Sequence, residues 1–170
     1  CTNEDVAYHM ERYNQQENMN ANQKGVLAMD KIACYIKDIS KNHPFFKSCG
    51  SYKEIDVKKD SISRIVSDTI MAIFHLDNWR KSGIGEFLNE NATEEEFDTF
   101  KQELDRLTTV IDADTTGKLF NVKNSFVWFA AFDRFTKWNL PDERFNDFLI
   151  EFKDHLHRTT FEDYENDSFD

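Results

Sequence analysis

Hydrophobic positions recur at steps of three and four along most of the chain, and the longest such run covers 124–156. Phe126, Trp128, Phe129, Phe132, Phe135 and Trp138 fall in its first part, and Phe145, Phe148, Leu149, Phe152 and Leu156 in its second. Residues three and four apart share one face of a helix, so the pattern predicts two consecutive helices. Asn139-Leu140-Pro141-Asp142-Glu143 separates them. Pro is tolerated at a first helical position, and acids in a first turn suit the positive end of the helix dipole. The first helix is apolar around most of its circumference, as in a helix buried on several sides. The rings are read as core, because buried aromatics dominate core energetics; a partner groove is the rival reading.

The same spacing organises the rest. A helix is predicted over about 21–41, with Met29, Ile32, Ile36 and Ile39 as its buried stripe and Ala28, Ala33 and Cys34 beside it. Lys31, Lys37, Asp38 and Lys41 then face water. Pro44 ends this element, since the residue before Pro is biased away from helical geometry. Phe45 and Phe46 tuck the next turn against the core, and Gly50 closes it. Ser51 and Glu54 have capping-box spacing ahead of a single turn. Over 61–79, Ile62, Ile65, Val66, Thr69, Ile70, Ile73 and Phe74 follow helical steps. Their β-branched content makes a strand the rival, but alternation at two fails. Gly83 and Gly85 break the chain. Thr93 and Glu96 form a second capping box, and Phe97, Phe100, Leu104, Leu107 and Ile111 the stripe of the helix that follows. That helix ends before the polar loop 112–117. Nearer the start, Asn3, Glu4 and Asp5 predict a short helix, and 14–20 is turn-like. The class is therefore all-α: an irregular multi-helix bundle of about six to eight helices in one domain over 1–158, centred on 62–74 and 125–138. The tail 159–170 has five acids and no base, alternating with Phe and Tyr. It is read as flexible, with a short docking motif as the sharper alternative.

Composition narrows the class. The 170 residues fit one domain, and sixteen Phe supply ample core area, while five Gly and two Pro argue against a many-stranded β fold. No run approaches the roughly 18 apolar residues of a membrane span, so no membrane partner is expected. Cys1, Cys34 and Cys49 form no C-x-x-C pair, which suits a reducing compartment, and a cytoplasmic location is expected. Cys1 at the first position reads as a fragment or processed product, with a lipidated terminus as the rival. The net charge of −11 is uneven: 1–85 carries 12 basic and 11 acidic residues, and 86–170 carries 9 and 21. Phosphate neutralisation needs Lys and Arg, so only the first half is a candidate DNA surface. The second half suits solubility or a basic protein partner.

Catalytic templates are absent. The sequence has no Gly-rich phosphate loop, no G-x-S-x-G elbow and no H-E-x-x-H. His155 and His157 are two apart and point to different helix faces, as do His75 and Asp77. No catalytic set, metal site or cofactor is expected from spacing, and a carboxylate pair would have to be assembled by the fold.

Four phrases read as a set: Arg12-Tyr13-Asn14, Met19-Asn20-Ala21-Asn22-Gln23-Lys24, Phe74-His75-Leu76-Asp77-Asn78-Trp79 and Lys123-Asn124-Ser125-Phe126. The first two resemble a segment of ParB-like, GmrSD-related bacterial and phage proteins. There an R-x-N turn is followed by an apolar residue, a polar pair and Gln or Glu at a helix start. The resemblance implies the helical region downstream of the ParB-like domain. The family's Asp-Gly-Gln-Arg type loop lies upstream, and this sequence has none. What is implied is a non-catalytic accessory module of a restriction-associated protein. It would pack on an upstream catalytic domain or a protein partner, or bind DNA through its N-terminal half. Arg12, Asn14, Gln23 and Lys24 would sit near the domain junction; turn and cap chemistry is their plainer reading. Two other functions stay open: an acidic protein-interaction or inhibitor module, and an enzyme whose carboxylate site the fold assembles.

Overall fold

The computed structural model describes the backbone of residues 21–58 and 60–167, and the side chains of 31–56 and 60–156. Among these residues there are seven α-helices and no strand: α1 (Ala21–Asn42), α2 (Glu54–Lys58), α3 (Ser61–Phe74), α4 (Ile84–Asn91), α5 (Glu94–Val110), α6 (Ser125–Lys137) and α7 (Asp142–Asp167). A π-helical turn, Phe45–Cys49, and 3-10 turns at Leu76–Asn78 and Thr116–Leu119 connect them. The all-α expectation holds. The short helix and turn read over 3–20 lie outside the described residues. None of the described helices is long and apolar enough to cross a membrane.

α3 is the hub. Ile62, Ile65, Val66, Ile70 and Met71 are all buried, with α6 lying along one side and α1 and α4 on others. Thr69 is buried among them without cost to its hydroxyl, which donates to the Ile65 carbonyl at 2.7 Å. Phe45, fully buried, meets Phe120 and Phe129 edge-on at ring separations of 5.1 and 5.3 Å. Burial of each such ring stabilises by about 1.5–3 kcal/mol, and edge-to-face contact adds about 0.5–1.5 kcal/mol.

Local chemistry explains most boundaries. α1 stops two residues before Pro44. α5 starts on a complete capping box: the Glu96 amide donates to Thr93 Oγ1, and the Thr93 amide to Glu96 Oε2 at 2.7 Å. At α2 the Lys53 amide donates to Asp56 Oδ2 at 2.8 Å, so Asp56 serves the helix start where the spacing suggested a Ser51–Glu54 box. The helix expected over 61–79 ends at Phe74. His75 leaves helical geometry at φ −135°, and Leu76 and Trp79 are exposed, so no burial holds the next turn in register. On α1, Ile32 and Ile39 are buried as read, whereas Ile36 is half-buried and Ala33 exposed. Cys34 is disulfide-bonded, contrary to the thiol state expected from cysteine spacing, and Cys49 is a buried free thiol.

α6 and α7 form a hairpin. Asn139 adopts the left-handed conformation at φ 56°, which Asn tolerates better than most residues, and the chain reverses there. Phe132 and Phe135 each contact Phe145 at 5.2 Å, and Trp128 meets Phe152 at 4.9 Å. Not all the side chains read as core are inside. Trp138 is 64% exposed, Phe148 37% and Leu156 51%. Trp138 follows the last residue of α6, where the turn carries it past its neighbours. Phe148 lies on the flank of α7, whose inner face is taken by Phe145 and Leu149. α7 is continuous to Asp167; side chains beyond 156, and with them those of the tail at 159–170, lie outside the described residues.

Candidate interaction surface

The polar groups of His43, Cys49, Tyr52 and Ser125 are occupied by the bundle itself. His43 is buried just before the π-turn. Its Nδ1 accepts from the Phe45 amide at 3.1 Å, so Nε2 carries the proton and donates to Asp105 Oδ1 at 2.7 Å. With both ring nitrogens engaged, this Asp–His pair has none left to take a proton from a substrate. Cys49 points at the Ile111 carbonyl, and burial, with Asp112 nearby, pushes its thiol up to about 11. It stays a neutral thiol, whereas the nucleophile is the thiolate. The Ser125 hydroxyl donates to the Asn121 carbonyl, so the Tyr52 phenol donates to Ser125, at 2.6 Å. Burial raises the Tyr52 phenol above its ordinary range.

Two acidic contacts are less settled. His75 Nε2 lies in ion-pair range of Glu96 Oε1 without hydrogen-bond geometry to it. Glu103 on α5 meets Asp133 on α6, both about 95% buried. Asp133 Oδ2 is paired with Lys137 Nζ at 2.8 Å. Glu103 Oε2 is buried with no partner. Burial first, then the hydrogen bond to Asp133 and its charge, push the Glu103 carboxyl up to about 9. The shift favours its neutral form, beside Asp133. Among the described residues no group of three or more His, Cys, Asp or Glu is arranged to hold a metal ion.

Outside, the arrangement is different. Where α7 leaves the hairpin turn, Phe135, Leu140, Phe148 and Ile150 surround a groove of about 470 Å³, edged by Arg144, Asp147 and Glu151. Phe135 ties the patch together, 5.4 Å from Phe148 and 6.2 Å from Trp138. A second hollow of about 240 Å³ lies between α3 and α6, lined by Leu76, Phe126 and Val127, with Trp79 stacked on Phe126 at 5.4 Å. Scattered exposed apolar side chains are ordinary; several around one concavity are the usual mark of an interaction site.

Of the expected junction residues, Arg12 and Asn14 lie outside the described residues. Gln23 and Lys24 fall in the first turn of α1, with their side chains outside the description. Among the described residues, the charged groups at the mouth of the larger groove are Arg144, Asp147 and Glu151, and no His or Cys lines it. Of the residues that build that groove, Phe135 and Phe148 were read as core, and only their position at the hairpin turn distinguishes them. Glu103 and Asp133 had a signal: each occupies a helical step of its own apolar stripe, Phe100-Glu103-Leu107 and Phe129-Asp133, where a charge is out of place. No family model, curated protein or solved structure matches this chain.

Proposed function

We propose that this chain is a non-catalytic helical module that docks protein. In this reading it is the accessory part of a ParB-like, restriction-associated protein, and a partner or its own upstream domain seats on the α6–α7 hairpin. One observation carries it: Leu140, Phe148 and Ile150 stand exposed around one groove, with exposed Trp138 beside it against Phe135, while the chemistry-bearing groups His43 and Cys49 are buried and occupied. An acidic carboxylate enzyme is less well supported, because Glu103 and Asp133, the carboxyl pair that the fold brings together, are both buried.

DNA binding through the N-terminal half is the weaker arm. Lys31 is tied to Glu94, and Arg64 lies 3.8 Å from Asp68. A duplex shift assay over a salt series tests it; tight binding at low salt that weakens as salt rises would favour DNA over protein.

Two experiments test the main reading. Coding sequence upstream of Cys1 is expected to encode a ParB-like domain, and an unrelated domain there would remove the family assignment. Hydroxyl-radical footprinting of the chain alone and within its full-length protein is expected to show Trp138 and Phe148 protected in the longer form. Equal reactivity in both forms would mean that this surface is not covered by the rest of that protein.

A further inference from the structure

The α6–α7 groove also carries information about what fills it. Its floor is apolar, from Phe135, Leu140 and Phe148. Its rim runs into an acidic stripe on the outer face of α7. Asp147, Glu151 and Asp154 are spaced four and three apart, so they share one face, about two turns or roughly 10 Å long. All three are exposed, and none is in an ion pair among the described residues. Nearby, Asp142 is already neutralised by Arg106 and Asp133 by Lys137, while exposed Glu143 and Lys153 on α7 are opposite in sign, so the net charge left on this helix face is that of the stripe. Arg144 alone offsets it at the groove.

An apolar trough beside a negative ridge matches the mode in which an amphipathic helix lies in a groove, its anchors at i, i+3 or i+4 and i+7. Charge complementarity sets the flank: Lys and Arg beside those anchors meet the carboxylates, whereas an acidic segment meets repulsion. We propose that the groove receives a basic amphipathic helix of a protein partner, apolar side chains over Phe135, Leu140 and Phe148 and cations along Asp147, Glu151 and Asp154. This rests on the docking reading above and adds the partner's chemistry to it.

The test uses the full chain and two labelled 18-residue model helices. Both carry Leu at the anchor positions; one has Lys on its flanks and the other Glu. Fluorescence anisotropy at low salt should show the Lys helix binding at least about tenfold more tightly than the Glu helix, with the difference shrinking as salt screens it. Asp147→Lys with Glu151→Lys should abolish or reverse that preference. Phe148→Ser with Trp138→Ser should weaken the Lys helix about tenfold or more. Both pairs are surface changes, so an unchanged melting temperature serves as the folding control. Equal affinity for the two helices, no binding of either, or a preference that survives Asp147→Lys/Glu151→Lys would overturn the proposal. If that happens while Trp138 and Phe148 are still protected in the full-length protein, the docking reading stands and only the partner's chemistry falls. Loss of both results removes both.

Discussion

Arg106 and Asp142 meet in a two-pronged ion pair, Nε 3.1 Å from Oδ2 and Nη2 2.9 Å from Oδ1. The same guanidinium donates to Thr136 Oγ1 at 2.6 Å and lies over the Phe132 ring at 4.7 Å. One side chain on α5 thus holds the last turn of α6 and the first turn of α7, and fixes the hairpin that presents the groove. The pair is about one-third exposed, which limits its worth. Arg106→Ala is expected to cost about 1–2 kcal/mol once the lost ring contact is included. Arg106→Lys keeps the charge but not the planar fork, and should recover less than half. Urea unfolding measures both, and a double-mutant cycle with Asp142→Asn should give a coupling of about 0.5–1 kcal/mol. Wild-type stability in Arg106→Lys would mean that charge alone matters here.

Phe132 and Trp138 lie less than two turns apart on the same aromatic run yet have opposite surroundings, 1% and 64% exposed. Truncation of a buried ring removes its transfer energy and leaves a cavity, so Phe132→Ala should destabilise by about 3–5 kcal/mol. Trp138→Ala should change stability by no more than about 0.5 kcal/mol. Thermal unfolding of the two variants side by side decides whether the hairpin end is surface. A large loss from Trp138→Ala would mean that the ring is packed.

That contrast also marks how far the fold was legible in the sequence. Helical spacing identifies the face of a helix, and it placed Ile62, Ile65, Phe97, Phe100, Leu104 and Phe129 correctly in the core. Capping chemistry is local too, so Thr93 and Glu96 located the start of α5 from four letters. Whether a face meets a neighbour depends on where neighbouring helices begin and end, and spacing says nothing of that. Trp138 and Phe148 belong to apolar runs, but among the described residues they are only partly covered, with Phe135 against each. Phe135 and Phe148 of the groove were for that reason read as core, although Phe148 is exposed. His43 was invisible for a related reason: its partner Asp105 lies 62 residues away, and only packing brings them together.

Gly117 and Gly85 predict opposite outcomes for the same substitution. A Cβ on Gly117 would overlap the Cys49 carbonyl oxygen and sit 3.0 Å from that of Asp112. Both obstacles are backbone, so the loop and the π-turn must move apart. Gly117→Ala is expected to cost about 1–3 kcal/mol, the usual range for overpacking. Gly85 is in the first turn of α4 with open space where a Cβ would stand. Gly85→Ala should stabilise by about 0.4–1 kcal/mol, by removing freedom from the unfolded chain. Chemical denaturation of both variants checks the pair; stabilisation by Gly117→Ala would mean that the Cys49 contact yields easily.

Glu103 gives the protein an unusual response to pH. In the unfolded chain its carboxyl titrates near the ordinary 4.5, and in the fold burial and Asp133 raise it to about 9. Between those values the folded state holds a proton that the unfolded state has released. Stability from this group therefore falls as pH rises from about 4.5 to about 9, with a slope of at most about 1.4 kcal/mol per pH unit, and levels off outside that window. The sign is opposite to that of a carboxylate stabilised by an ion pair. Glu103→Gln keeps the shape but has no proton to lose. The variant should be more stable than the wild type at pH 8, with an advantage that shrinks as pH falls toward 5. Urea unfolding at pH 5, 6.5 and 8 measures this; a difference that is the same at all three values would mean that Glu103 is ionised in the fold, and that Asp133 and Lys137 share their site with a second buried charge.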